Sequence, residues 1–157
     1  MKEKVMDTSL FERLSAILSS ADPRAHKARR IAELLREECG YHWVGVYEVD
    51  SAEIAAIAWS GPTAPAYPRF PASKGLCGEA VRTGEIIVVN DVATDPRYLT
   101  TFTTTRSEIA VPIKHPIIGR TIGIIDAESE LPHAFAPADC NFLEDCALML
   151  GAFIDSH

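Results

Sequence analysis

Four strand-like runs, arranged in two pairs with short links, constrain this chain more than any other feature. Residues 41–49 are rich in aromatic and β-branched side chains. After the turn Asp50-Ser51, residues 53–59 read as their hairpin partner. Residues 107–114 and 121–129 form the second pair, joined through Pro116 to Arg120. Parallel neighbours need a crossover of about a dozen residues or more, which neither link supplies. Each pair is therefore expected to be an antiparallel hairpin. Helical patterns flank the strands. Leu10, Leu14, Ile17 and Leu18 recur at helical spacing over residues 10–20, behind a Ser9-x-x-Glu12 capping box. Asp22 is expected to cap a second helix with Pro23 as its first residue, striped by Ala28, Ile31, Leu34 and Leu35 and ended by Gly40. Pro137 opens a last helix to about residue 153, with Phe142, Leu143, Cys146, Met149, Leu150 and Phe153 on its apolar face. Between the strand pairs, residues 61–74 hold Pro62, Pro65, Pro68 and Pro71 and read as a long loop. Residues 76–82 read as a short helix and 86–89 as a strand. The threonine-rich stretch 90–106 reads as a second loop. The class is α+β: an antiparallel sheet with the terminal helices packed on one face.

Composition sets the scale and removes several functions. At 157 residues and 47% hydrophobic, the chain fits one domain with a real core, here divided into an N-terminal helix (1–22) and a single domain (23–157). Its 15 basic against 22 acidic residues give a net charge of −7. That charge argues against nucleic-acid and membrane-surface partners. No apolar run approaches the ~20 residues of a membrane span, and no apolar segment follows the N-terminal charges, so a cytoplasmic location is expected. Cys39, Cys77, Cys140 and Cys146 show no CxxC or Cys/His ligand spacing. Four free thiols are expected, with no metal and no cofactor.

Strand alternation then groups the chemistry. On 121–129, Ile122, Ile124, Asp126 and Glu128 share a face, and Gly123, Ile125 and Ala127 share the other. The two acids fit either a strand end emerging into water or the mouth of a pocket. On 107–114, Glu108, Ala110 and Pro112 share a face. If Glu108 meets Asp126 and Glu128, three carboxylates converge, and a cation, proton or ligand amine must offset their repulsion. Trp43, Gly45 and Tyr47 share a face of the first strand, as core or as an aromatic wall, to which Trp59 and Tyr67 are candidate additions. Cys77, in Gly75-Leu76-Cys77-Gly78, is either a small buried thiol or a nucleophile at a helix start. The serine-hydrolase, phosphate-loop, dinucleotide and zinc-protease motifs are absent.

Six pieces of sequence, in order, resemble the GAF domain: Tyr41-His42-Trp43-Val44-Gly45-Val46-Tyr47, Gly61-Pro62, Gly75-Leu76-Cys77-Gly78-Glu79-Ala80, Asn90-Asp91-Val92, Ser107-Glu108-Ile109, and Ile125-Asp126-Ala127-Glu128-Ser129. More narrowly, they resemble its free methionine-(R)-sulfoxide reductase branch. The resemblance implies about six antiparallel strands, helices on one face and a ligand pocket on the other. It also implies an acidic-aromatic cage, at positions matched here by Trp43, Tyr47, Glu108, Asp126 and Glu128. The branch usually has Asp where Glu128 stands. The branch's reaction needs a thiolate attacking sulfur and a second cysteine resolving the sulfenic acid. The resemblance implies the attacking cysteine at Thr101 and its partner, in the Pro-rich loop, near Tyr67; the third is kept as Cys77. A threonine hydroxyl cannot cycle through a sulfenic acid.

The resulting expectation is a non-catalytic sensor that binds an amino-acid-like or cationic small molecule. The alternative is a reductase-like enzyme using Cys77. Leu10, Phe11, Leu14 and Ile17 on the first helix either cover their own domain or offer a homodimer surface, the latter compatible with both readings. Tetrapyrrole attachment and cyclic-nucleotide binding are disfavoured by the cysteine positions and by the acidic cage.

Overall fold

The computed structural model describes residues 8–100 and 102–156. Helices α1 (Thr8–Ser19) and α2 (Arg24–Cys39) lead into β1 (Trp43–Val49), β2 (Glu53–Ser60) and β3 (Arg69–Pro71). Helix α3 (Gly75–Thr83), β4 (Ile87–Val89) and a 3-10 turn (Val92–Thr94) follow. Strands β5 (Ser107–Lys114) and β6 (Thr121–Ser129) and helix α4 (Pro137–Asp155) complete the chain. All neighbours in the sheet are antiparallel, in the order β3-β2-β1-β6-β5-β4. The α+β class and the helix-covered face agree with the sequence reading.

That face carries the main core. Leu14, Ile31 and Leu35 from α1 and α2, and Leu143, Cys146 and Leu150 from α4, pack on Val44, Val46, Ile109, Val111, Ile113 and Ile125. A fully buried side chain of this size contributes about 1.5–3 kcal/mol. Helix α1 joins this core through Leu10, Leu14 and Ile17, and Phe11 meets Phe142 at 5.6 Å between ring centroids, so the residues offered as a homodimer surface cover their own domain instead. Among the described residues no helix is long and apolar enough to cross a membrane.

Several local expectations are corrected. Helix α1 begins at Thr8, so Ser9 lies in its first turn rather than capping it. At α2, Pro23 occupies the cap position. The Asp22 carboxylate instead accepts from Arg30 at 2.8 Å and from the Ser20 hydroxyl at 3.3 Å. The Gly40 ending holds: at φ 73° the glycine takes the left-handed conformation, and its N–H donates to the Arg36 carbonyl. The stretch 61–74 is not all loop, because Arg69, Phe70 and Pro71 pair with Ala55, Ile54 and Glu53. An edge strand tolerates Pro71, which need not donate into the sheet, and Arg69 forms an ion pair with Glu53 across the two strands. Ile122 departs from strict alternation and packs with the helix-side core, next to the register shift between Ile113 and Lys114.

Candidate functional site

The other face of the sheet is covered by α3 and two loops. Its central strands lie β1-β6-β5, and their registers fix which side chains meet. Glu128 pairs with Trp43 on one side and Glu108 on the other. Two residues along, Asp126 lies between Gly45 and Ala110. The buried carboxylate therefore sits between the two smallest side chains available, which leaves room above it. A Cβ on Gly45 would lie 2.7 Å from Tyr47 Cε2 and would also meet the Trp43 ring. Glycine is thus what lets the two aromatic rings close over this strand. They do so at 6.4 Å, and Phe70 of β3 meets Tyr47 at 6.0 Å.

Helix α3 packs on β5 and β6 and brings down Cys77. One donor atom each from Cys77, Glu108 and Asp126 lies within 4.8 Å of the others. All three residues are buried, at 4%, 6% and 4% exposure, and Glu128 is at 0%. Burial forces protons onto such a group. The Glu108 carboxyl is pushed well above the usual carboxylate range by burial and then by Asp126 and Glu128. Asp126 is pushed up to about 6 by burial, against hydrogen bonds from Glu108 and Cys77 that favour its charged form. At neutral pH the arrangement is a neutral Glu108 and a thiol Cys77 donating to an ionised Asp126. Burial, and then the neighbouring Asp126, Glu108 and Glu128 carboxyl groups, push the Cys77 thiol far from the thiolate. The thiolate is the nucleophilic form, so Cys77 acts here as a hydrogen-bond donor. Asp126 Oδ1 is buried with no hydrogen-bond partner.

Tyr47, Tyr67, Cys77, Glu108 and Asp126 line one cavity of some 20 Å³, together with Phe70, Gly75, Leu76 and Leu99. That volume holds about one water. Trp43 and Glu128 are near neighbours in the sheet but lie under a separate roof. The Tyr98 hydroxyl donates to Glu128 at 3.1 Å, and Phe102 sits 5.8 Å from the Trp43 ring and 6.0 Å from His42. The Trp43 indole N–H donates to the Thr63 carbonyl at 3.2 Å, tying the Pro-rich loop down. Thr101 lies outside the described residues. Residues 43, 47, 67, 77, 108, 126 and 128 are thus gathered on one face, five of them around the cavity. Phe70, Tyr98, Leu99 and Phe102 were not anticipated. Aromatic residues within the two loops were the signal available for Phe70, Tyr98 and Phe102; none marked Leu99.

Residues 24–154 match the GAF domain family. GAF domain-containing protein A of Dictyostelium discoideum is 25% identical over 143 residues, covering 90% of this chain and 88% of that protein. The free methionine-R-sulfoxide reductase of Saccharomyces cerevisiae is 32% identical over 112 residues, 69% of this chain and 61% of that protein. Among solved structures, the Neisseria meningitidis free methionine-R-sulfoxide reductase in complex with its substrate superposes with a TM-score of 0.83. It is 31% identical, covering 96% of this chain and 92% of that one. The chain therefore belongs to the GAF domain family, with sequence and structural relatives in its free methionine-R-sulfoxide reductase branch.

Proposed function

We propose that this GAF domain is a sensor that binds a small, amino-acid-like molecule through its ammonium group and does no redox chemistry on it. One observation carries the reading: a buried Asp126 oxygen without a partner, at the floor of a cavity that also holds Glu108 and is walled by Tyr47, Tyr67 and Phe70. A buried carboxylate oxygen lacking a donor costs stability. A ligand ammonium offsets that cost, and aromatic faces favour the same charge. Likeness to a reductase solved with its substrate supports a ligand of that size and polarity. The absence of turnover follows from chemistry. The resemblance implies Thr101 at the position of the branch's attacking cysteine, and burial keeps Cys77 a thiol. A cavity of some 20 Å³ requires Tyr67 and Leu99 at its rim to swing aside before such a molecule enters.

Calorimetry with free methionine-(R)-sulfoxide and a panel of amino acids tests this. Binding is expected with proton release, because an ammonium favours ionised Asp126 and Glu108. Asp126→Asn is expected to weaken it by more than about tenfold. Absence of binding across the panel overturns the reading. Reductant-dependent turnover of the sulfoxide overturns its non-catalytic half.

A further inference from the structure

We infer that Cys77, Glu108 and Asp126 form a binding site for one divalent transition-metal ion of the zinc, cobalt or ferrous class. The three donors come from α3, β5 and β6, so no local sequence spacing announces them. Their donor atoms converge within 4.8 Å. A tetrahedral ion with bonds of about 2.0–2.3 Å sets its donors roughly 3.3–3.8 Å apart, so side-chain rotation closes the triangle by at most about 1.5 Å. Two further observations point to an occupant. Asp126 Oδ1 is buried and without a partner. The cavity at these residues measures some 20 Å³, which suits one ion or one water and not a hydrated cation.

The donor set selects the metal. One sulfur with two carboxylates suits borderline transition ions. Magnesium keeps several waters in an octahedron, and calcium takes six to eight oxygens; neither fits a sulfur-containing site of this size. Three protein donors leave a fourth position, as in zinc sites that hold an exchangeable ligand. On binding, Cys77 and Glu108 release their protons to solvent; the thiolate and two carboxylates then bring three negative charges to two positive ones, which offsets their mutual repulsion. This inference goes beyond the ammonium reading and does not depend on it. An ion and an ammonium exclude one another at Asp126, so each is expected to displace the other.

Cobalt(II) titration of the metal-stripped full chain is the test. One equivalent is expected to give a thiolate-to-cobalt charge-transfer band, and Cys77→Ser is expected to abolish it. Losing an outer-shell partner already costs about 10–100-fold in metal affinity, so Glu108→Gln, which keeps the side-chain shape, is expected to cost about 100-fold. Absence of the band overturns the inference. So does a band that survives Cys77→Ser, which would place the ion on Cys39, Cys140 or Cys146. If Cys77→Ser fails to fold, unchanged cobalt affinity in Glu108→Gln overturns it alone. Amino-acid binding is read separately on the stripped chain, so failure of either reading leaves the other standing.

Discussion

The two faces of one sheet are built from alternate residues of the same strands, yet they follow opposite rules. Toward the helices, β1, β5 and β6 present Val44, Val46, Ile109, Val111, Ile125 and Ala127, closed by α1, α2 and α4. Toward α3 and the loops they present Trp43, Tyr47, Glu108, Asp126 and Glu128, all buried. Apolar residues on the first face gain by leaving water. Carboxylates on the second lose by it and are kept in place by the first. A dry apolar core and a set of buried acids are thus separated by a single backbone, with each strand serving both.

Three perturbations separate the faces, beginning with the largest. Leu143→Ala empties a fully buried position on the helix face and is expected to cost about 3–5 kcal/mol of unfolding free energy in denaturant titrations. Ligand affinity of the folded fraction should not change; a large change would mean that the faces are not independent.

The next effect belongs to the acids. An acid whose folded pKa is raised weakens the fold above that pKa, and the penalty disappears as pH falls toward the unfolded value. Asp126 is pushed up to about 6 from 3.8, so its penalty at pH 7 is about 3 kcal/mol, relieved as pH drops from about 6 to 4. Glu108 works in the same direction. The chain should therefore gain stability on acidification from pH 7 to 5, and Asp126→Asn should flatten that gain. A wild-type profile parallel to that of the variant would remove Asp126 from the account. Smallest is Tyr98→Phe, which takes one donor from Glu128. It should cost about 1 kcal/mol, measured by thermal unfolding. An unchanged melting point would show that this roof contributes nothing.

Strands β5 and β6 have the bounds their sequence implies, because a two-residue period marks both, broken at Ile122, and the short link between them leaves no other pairing. That period also put the three acids on one face. What the sequence left hidden was the cover. Strand β3 is three residues inside a proline-rich stretch, and only its partners in β2 make it a strand. Tyr98 and Phe102 follow no period; their places are set by contact with Glu128, Trp43 and His42. Asp22 has the chemistry of a helix cap but turns to Arg30. Periodic elements are legible because their geometry repeats, whereas loop side chains are positioned by whatever surface they land on.

The pairing of β1 with β6 has a consequence for how the chain is made. Trp43–Val49 must wait for residues 123–128 before its second neighbour exists, a contact between distant parts of the chain of the kind that slows folding. During synthesis the first hairpin can form early, but its polar-side residues face no acid until β6 has emerged. A chain caught before that point has part of a hydrophobic core and lacks the proposed binding site. Ligand protection against proteolysis would therefore report completion of folding and could not rescue a half-made chain.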